Sequence, residues 1–346
     1  MASSLWFFRW PFLVTALGLM LATWLGWQTT GTRSGALTFF LIGAVLAVLE
    51  ISLSFDNAIV NANKLKDMSP VWQKRFLTWG ILIAVFGMRI VFPLAIVAIA
   101  AQIGPFAAIH LAATEPAEYA RLIGEAHMSI SAFGGTFLMM VGLTYFIDDS
   151  KEVDWFCALE CQLRKCAAVR GLQVGLVLAL VMVFASCLSK EDGTTFLFSA
   201  LLGLLTFVAV DLLGHVLDAS QGARDVARVG GLGAFMYLEV LDASFSFDGV
   251  IGAFALTQNL FLVAIGLGIG AMYVRSMTIM LVERETLAQF RYLEHGAFYS
   301  ILALSMIMFA QSLFHISEFV TGALGAGLIG ASLYSSIRYK KHLISG

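Results

Sequence analysis

The chain has 346 residues, of which 59% are hydrophobic and only 13% are charged, and its formal net charge is −2. A soluble protein of this length would carry more surface charge, and a nucleic-acid-binding protein would present a basic face, so both classes are excluded. The mean hydropathy of +0.86 and the long apolar runs predict helices that are apolar on all sides and lie in lipid. The predicted fold class is an all-α polytopic membrane protein.

Ten apolar runs are each long enough to cross a bilayer as a helix of about 20 residues. The predicted spans are residues 8–27, 35–60, 76–101, 128–147, 171–188, 194–217, 231–256, 259–282, 296–315 and 318–337. The first run resembles a signal peptide, but it is long and lacks a small-residue cleavage site, so we interpret it as a transmembrane helix. Only residues 257–259 separate spans seven and eight, which predicts a tight connection between them.

The basic residues predict the orientation of these spans. With the amino terminus inside, the inner segments contain sixteen Lys and Arg residues and the outer loops contain only three, namely Arg33, Arg121 and Lys190. Positive residues favour the cytoplasmic side of a membrane. The sequence therefore predicts ten spans in a bacterial inner membrane, with both termini in the cytoplasm.

An acidic motif occurs twice. Glu50-Ile-Ser-Leu-Ser-Phe-Asp56 reappears as Asp242-Ala-Ser-Phe-Ser-Phe-Asp248, with the two acids six residues apart in each copy. The copies lie in spans two and seven, and an offset of five spans gives them opposite orientations in the membrane. This pattern is typical of inverted-repeat transporters. It predicts two inverted halves, residues 1–190 and 191–346, within a single membrane domain.

Acidic residues inside membrane spans are costly and are therefore candidates for function, although some acids at the headgroup level or in structural ion pairs remain an alternative. Residues six apart on a continuous helix lie about 120° apart around its axis, so Glu50 and Asp56 cannot face one point on an unbroken helix. Ser52, Ser54 and Asn57 are poor in helix interiors, as are Ser244, Ser246 and Gly249 in the second copy. We therefore predict broken or kinked helices at both motifs, with freed carbonyls that coordinate a cation.

Ligands that are all oxygen atoms favour hard ions such as Mn²⁺, Mg²⁺ and Ca²⁺. Glu50 and Asp242 are expected to meet at the interface between the two halves. The predicted metal ligands are Glu50, Asp56, Asn57, Asp242 and Asp248. Candidates for handling a proton or a coupling ion are Glu239, Ser54, Ser246, Asp211 and His215.

Three weaker signals lie outside the motifs. Arg89 and Arg275 are predicted to balance the charge of acids in the bundle, and a direct role in binding an anion is the alternative. Asp211 and His215 form either a proton relay or a hydrogen-bonded pair. Cys157, Cys161 and Cys166 share one loop, but their spacing fits no standard metal site, so reduced thiols are expected.

The motif residues Glu50, Leu53, Ser54, Asp56 and Asn57, with the later Asp242, Phe245, Ser246 and Asp248, resemble the TerC superfamily of membrane proteins. The fuller string, with Phe-Gly-Met-Arg89 downstream, is similar to the branch known as a domain of unknown function. The resemblance implies export of Mn²⁺ with these acids as ligands. This chain departs from the family's second motif, because Asp248-Gly249-Val250-Ile251 stands where many members have Asp-Ser-Ile-Pro.

The sequence thus predicts a secondary transporter that exports a divalent cation, with Mn²⁺ first and Ca²⁺ or Mg²⁺ as alternatives, coupled to H⁺ or Na⁺. No enzymatic activity and no organic cofactor are expected, because the paired acids lack the Gly-x-Gly-Asp motif of intramembrane aspartyl proteases. The alternative function is a membrane scaffold for protein assembly or for metal and tellurite stress resistance. The expected partners are the lipid bilayer and the cation, and a homo-oligomer is left open.

Overall fold

The computed structural model describes most of the chain. The described residues are 4–66, 68–80, 83, 87, 90–148, 151, 153–165, 171–220, 231–284, 286–314 and 316–345. Arg89 and Cys166 lie outside the described residues. The side chains of His215 and Asp248 also lie outside them, although their backbones belong to helices. What the sequence predicts for these four side chains therefore stays a prediction.

Every regular element in the described part of the chain is helical. The first nine helices are α1 (Ser4–Phe7), α2 (Arg9–Thr30), α3 (Arg33–Leu53), α4 (Phe55–Lys66), α5 (Pro70–Arg75), α6 (Phe92–Ala100), α7 (Pro105–Thr114), α8 (Pro116–Glu125) and α9 (His127–Ile147). The remaining helices are α10 (Cys157–Lys165), α11 (Leu172–Cys187), α12 (Lys190–Ser220), α13 (Leu232–Leu256), α14 (Leu260–Glu283), α15 (Thr286–Gln289), α16 (Leu293–Ala310) and α17 (Glu318–Ser345). A π-helical segment, Phe76–Gly80, follows α5.

Each predicted span overlaps helical structure in this series, and the predicted all-α class is confirmed. The third span is described only in part, by the π-helical segment and α6. Within the described residues, seven helices are long and apolar enough to cross a bilayer. A multi-pass membrane protein agrees with these helices, whereas the number of ten spans and the inverted halves stay predictions. The tight connection is confirmed, since α13 ends at Leu256 and α14 begins at Leu260.

Several of these helices keep large apolar side chains exposed. Leu17 and Trp24 of α2 are 54% and 56% exposed, and Leu205 of α12 is 61% exposed. Contiguous apolar surface of this kind is rare on soluble monomers, because water disfavours it. Lipid tails accept the same surface without cost, so the exposed faces agree with helices in a membrane.

The described chain divides into two compact units. The first comprises Met1–Ala58, Gln73–His127 and Phe245–Met280, and the second comprises Ile59–Trp72, Met128–Ser244 and Leu281–Gly346. Each unit combines segments from both sides of residue 190. The units therefore do not coincide with the predicted halves, and the division at residue 190 stays a prediction.

Small residues allow helices to approach closely in the first unit. A Cβ built on Gly26 of α2 would lie 2.7 Å from Cβ of Phe39 in α3. A Cβ on Gly266 of α14 would overlap the side chain of Leu46 in α3. Such close packing of backbones is the usual source of helix association in membranes. It sets α3 directly against α14.

Aromatic rings hold helices together in the second unit. The rings of Phe137 in α9 and Phe207 in α12 have their centroids 5.7 Å apart, and the ring of Tyr237 in α13 lies 6.2 Å from that of Phe137. Lys64 of α4 places its ammonium group 5.5 Å from the centroid of the Tyr237 ring. Ring contacts at these distances stabilise packing beyond the area that they bury.

Candidate functional site

The first acidic motif interrupts its helix. Helix α3 ends at Leu53 and α4 begins at Phe55, with Ser54 between them at φ −101° and ψ 15°. This backbone conformation is sparsely populated and lies outside the α-helical region. The Ser54 hydroxyl group donates a hydrogen bond of 3.1 Å to Oε1 of Glu50. The predicted break in the first copy is therefore confirmed, and it occurs at a single residue.

The carboxylate of Glu50 is buried among close backbones, and the residue is only 1% exposed. A Cβ built on Gly270 of α14 would overlap Cβ and Cγ of Glu50. A Cβ on Gly249 of α13 would lie 2.7 Å from Oε2 of Glu50. Two glycines thus make the space that the acid occupies. Gly249 is the residue of the second motif that corresponds to Asn57 in the first.

Asp56 and Asn57 are buried at the beginning of α4, where they are 5% and 3% exposed. Oδ1 of Asp56 accepts a hydrogen bond of 2.9 Å from the backbone N–H of Asn57. The first turn of a helix favours negative charge, because its N–H groups point towards the preceding residues. The helix break therefore places a second buried carboxylate at the beginning of α4, where one backbone N–H group donates to it.

The neighbouring contacts come from α14. The Thr278 hydroxyl group lies 3.5 Å from the carbonyl oxygen of Ala58 in α4 and donates at 3.0 Å to that of Val274. Arg275 donates from Nε and Nη2 to the carbonyl oxygen of Leu77, at 3.0 and 2.7 Å. Among the described side chains, Arg275 forms no ion pair with an acid. Its charge-balancing role stays a prediction.

The second motif does not interrupt its helix. Helix α13 runs without a break from Leu232 to Leu256, so a break at Asp242–Asp248 is wrong, whereas the alternative of a kink stays a prediction. The Ser244 hydroxyl group donates to the carbonyl oxygen of Val240 at 2.9 Å, a contact that satisfies serine within a helix. Ser52, the equivalent residue of the first copy, makes the same kind of contact with the carbonyl oxygen of Val48 at 2.8 Å. These two serines therefore do not distinguish the broken copy from the continuous one.

Glu239 and Asp242 are buried on α13, at 8% and 9% exposure. Neither carboxyl oxygen of Glu239 accepts a hydrogen bond from the described residues. The two acids are three residues apart and therefore share one side of the helix. Ser246 is also buried, at 4% exposure. A carboxyl group left without donors is open to a cation or a proton.

The structure thus places the predicted site residues in two groups. Glu50, Ser54, Asp56 and Asn57 lie in the first unit, and Glu239 and Asp242 lie in the second. The predicted meeting of Glu50 and Asp242 stays a prediction. Asp211 of α12 is exposed. A proton relay of Asp211 with His215 is untested, because the side chain of His215 lies outside the described residues.

A buried acidic residue that the sequence did not reveal is Glu160 of α10, whose side chain is fully buried. Its carboxylate accepts hydrogen bonds from Lys151 Nζ at 2.5 Å and from the Tyr299 hydroxyl group at 3.0 Å. The Phe156 N–H donates to it at 3.0 Å, and Nε2 of His295 lies 3.4 Å away. Through these contacts, Glu160 connects the loop before α10 with helix α16.

Burial of the Glu160 carboxyl group raises its pKa, but hydrogen bonds from His295, Lys151 and the Phe156 N–H outweigh burial and lower the pKa to about 2. The residue is therefore a carboxylate at neutral pH. A sequence signal is hard to find, because Glu160 lies in the short polar segment that forms α10, where acids are ordinarily solvated. Only its contacts with Lys151 and His295 distinguish it.

The two cysteines of α10 have a close acidic neighbour, Asp154, which the sequence did not reveal. Sγ of Cys157 lies 2.9 Å from Sγ of Cys161, which lies 3.3 Å from Oδ2 of Asp154. The hydrogen bonds of the Cys161 thiol with Cys157 and with Asp154, which accepts, raise the pKa of Cys161 to about 11. Both cysteines are free thiols, as is the exposed Cys187.

A family model described as protein of unknown function (DUF475) matches residues 55–343 of the chain. The chain belongs to this family. The DUF475 match begins at Phe55, so it includes Asp56, Asn57 and the whole second motif, whereas Glu50 lies just before it. No curated protein and no solved structure shows significant similarity to the chain. The resemblance to the TerC superfamily is finer than this DUF475 assignment and stays a prediction.

Proposed function

We propose that this DUF475 protein is a secondary transporter for a hard divalent cation. The observation that carries the proposal is the carboxylate of Glu50, which is buried beside a one-residue helix break and between Gly249 and Gly270. Ionisable groups at such depth are costly, and they persist mainly where an ion or a proton passes. Broken helices beside them are typical of transporter binding sites.

The donor set favours a hard ion. Glu50 and Asp56 supply carboxylate oxygens, and the Asn57 amide and the Ser54 hydroxyl group lie on the same short stretch. Oxygen donors of this kind suit Mn²⁺, Mg²⁺ and Ca²⁺ better than Zn²⁺ or Cu⁺. The resemblance to TerC proteins makes Mn²⁺ the first candidate, and export from the cytoplasm the first direction.

Glu239 and Asp242 supply the second part of the proposed machinery. The carboxyl oxygens of Glu239 are buried without a hydrogen-bond donor from the described residues. The buried carboxyl group of Glu239 stands on the same side of α13 as a second acid, which disfavours a charge on Glu239 when no cation is bound. Loss of the cation would therefore favour uptake of a proton, which provides a route to exchange of the metal for H⁺.

The test is the manganese content of cells grown under a manganese load. Cells that express the wild type should contain less Mn than cells with an empty vector, and Glu50→Gln and Asp242→Asn should abolish this difference. Glu191→Gln, which changes an exposed acid of α12, is the matched control and should export like the wild type. Equal Mn in wild-type and empty-vector cells would refute export and favour the scaffold alternative.

A further inference from the structure

Two thiols and a carboxylate converge at the beginning of α10, in a region that the proposed transport site does not use. Cys157 and Cys161 are four residues apart in a helix, so their side chains lie on the same face. Their sulfur atoms are 2.9 Å apart. One ligand atom from each of Asp154, Cys157 and Cys161 lies within 4.8 Å of the other two. Three donor atoms thus surround one point.

The carboxylate of Asp154 is oriented by a hydrogen bond to one of its two oxygen atoms, Oδ2. Nη2 of Arg164 donates to Oδ2 at 2.6 Å, and Nη1 of Arg164 donates to the carbonyl oxygen of Lys151 at 2.7 Å. The other oxygen, Oδ1, is buried and accepts no hydrogen bond from the described residues. The ammonium group of Lys151 lies 3.9 Å from it. A metal-binding carboxylate is commonly oriented by a hydrogen bond from a neighbouring residue, as Arg164 does here.

We propose that Asp154, Cys157 and Cys161 form a binding site for a thiophilic divalent cation such as Zn²⁺ or Cd²⁺. Thiolates select soft and borderline ions, and a carboxylate completes a three-residue set that leaves a fourth tetrahedral position for water. Zn–S bonds of about 2.3 Å require sulfur atoms about 3.8 Å apart. The two thiols would therefore separate by about 1 Å, which a small side-chain rotation provides.

The charges around the site are compatible with a cation. Two thiolates and the carboxylates of Asp154 and Glu160 give four negative charges, and Arg164 and Lys151 supply two positive charges nearby. A bound divalent ion balances the two remaining negative charges and displaces the thiol protons. The selectivity differs from that of the oxygen-rich Glu50 site, because Mn²⁺ prefers oxygen to sulfur. This proposal does not depend on the transport proposal.

The test is a titration of the full-length, detergent-solubilised and reduced chain with Cd²⁺, followed by the ultraviolet thiolate-to-cadmium charge-transfer band. We expect the band to saturate at one Cd²⁺ per chain. Cys157→Ser and Cys161→Ser should each weaken binding by more than about tenfold, and Asp154→Asn should weaken it by about tenfold. Cys187→Ser is the matched control, because Cys187 is an exposed free thiol of α11, and it should leave the titration unchanged.

A band that survives both Cys157→Ser and Cys161→Ser, or that disappears with Cys187→Ser, would overturn the proposal. Asp154→Asn also removes the partner of Arg164 and could prevent folding, whereas the two cysteine variants keep that ion pair and still decide the question.

Discussion

Gly249 lies directly against the carboxylate of Glu50, since a Cβ built on Gly249 would stand 2.7 Å from Oε2 of the acid. A residue of the second motif thus contacts the acid of the first motif, within one compact unit. A larger residue at position 249 would therefore enter the space that Glu50 occupies.

Gly249→Ala is expected to weaken cation handling more than stability. The new methyl group would meet the end of a flexible side chain, so Glu50 can move aside at small energetic cost, but its oxygen then leaves its position. We expect loss of manganese export in the cell assay, with the unfolding temperature in detergent changed little. Export at the wild-type level by Gly249→Ala would show that the position of Oε2 is unimportant.

Gly270→Ala is expected to destabilise the protein, because the methyl group would overlap Cβ and Cγ of Glu50, close to the α3 backbone. Overpacking of this kind costs about 1–3 kcal/mol. The measurement is the thermal unfolding of the purified variant in detergent. Gly327→Ala is the matched control, because nothing lies within 4 Å of a Cβ there, and alanine favours the helix α17. Equal unfolding temperatures for both variants would contradict the close packing of α3 and α14.

Ser54→Ala removes the hydroxyl group that donates to Oε1 of Glu50. We expect Mn²⁺ to bind the purified protein about fivefold more weakly, which corresponds to the loss of one hydrogen bond worth about 1 kcal/mol. Ser52→Ala is the control, because the Ser52 hydroxyl group donates to the carbonyl oxygen of Val48 on an exposed side of α3. The hydrogen bond has no role in binding if the two variants have the same affinity.

Stability is expected to fall in acid because of Glu160. Its pKa in the folded protein is about 2, below the ordinary value of 4.5, so the unfolded chain binds a proton first as the pH falls. The contribution is complete above pH 4.5 and is lost between pH 4.5 and 2. Unfolding temperatures measured across this range should fall less steeply for Glu160→Gln than for the wild type. Glu115→Gln, at an exposed acid, should keep the wild-type slope.

At neutral pH, Glu160→Gln should destabilise the protein by about 3 kcal/mol, because it removes the closer of the two carboxylates that pair with the largely buried charge of Lys151 and leaves only Asp154 at 3.9 Å. The double variant Glu160→Gln with Lys151→Gln should recover part of this loss, since it removes both charges. Additive effects of the two substitutions in unfolding measurements would mean that the pair is not coupled.

The sequence predicted the helices better than it predicted the details of the site. Long apolar runs are sufficient to locate helices, because lipid permits no unpaired backbone in an exposed segment. The two motifs contain Ser54 and Ser246 in equivalent positions, yet only the first copy is broken. Ser52 and Ser244, the other equivalent pair, both donate to a backbone carbonyl oxygen four residues earlier, so they do not distinguish the copies. At the break itself, the Ser54 hydroxyl group donates to the carboxylate of Glu50. Such a side-chain contact cannot be read from a motif that is the same in both copies.

The network at Glu160 could not be predicted for a related reason. Glu160 follows Lys151 by 9 residues and precedes Tyr299 by 139 residues, with His295 close to Tyr299. No spacing rule connects these positions. Charged residues in a polar segment are ordinarily solvated, so nothing in the sequence indicates that Glu160 is buried. The contact of Asp154 with the two thiols was missed because it precedes the helix that carries them.

The glycine at position 270 links two positions that are far apart in the sequence. A Cβ there would lie 2.4 Å from Cβ and 2.3 Å from Cγ of Glu50. Aspartate and glutamate both have these two atoms, so the overlap does not depend on the length of the acid. Position 270 is therefore expected to remain glycine whichever acid stands at position 50, more than two hundred residues earlier.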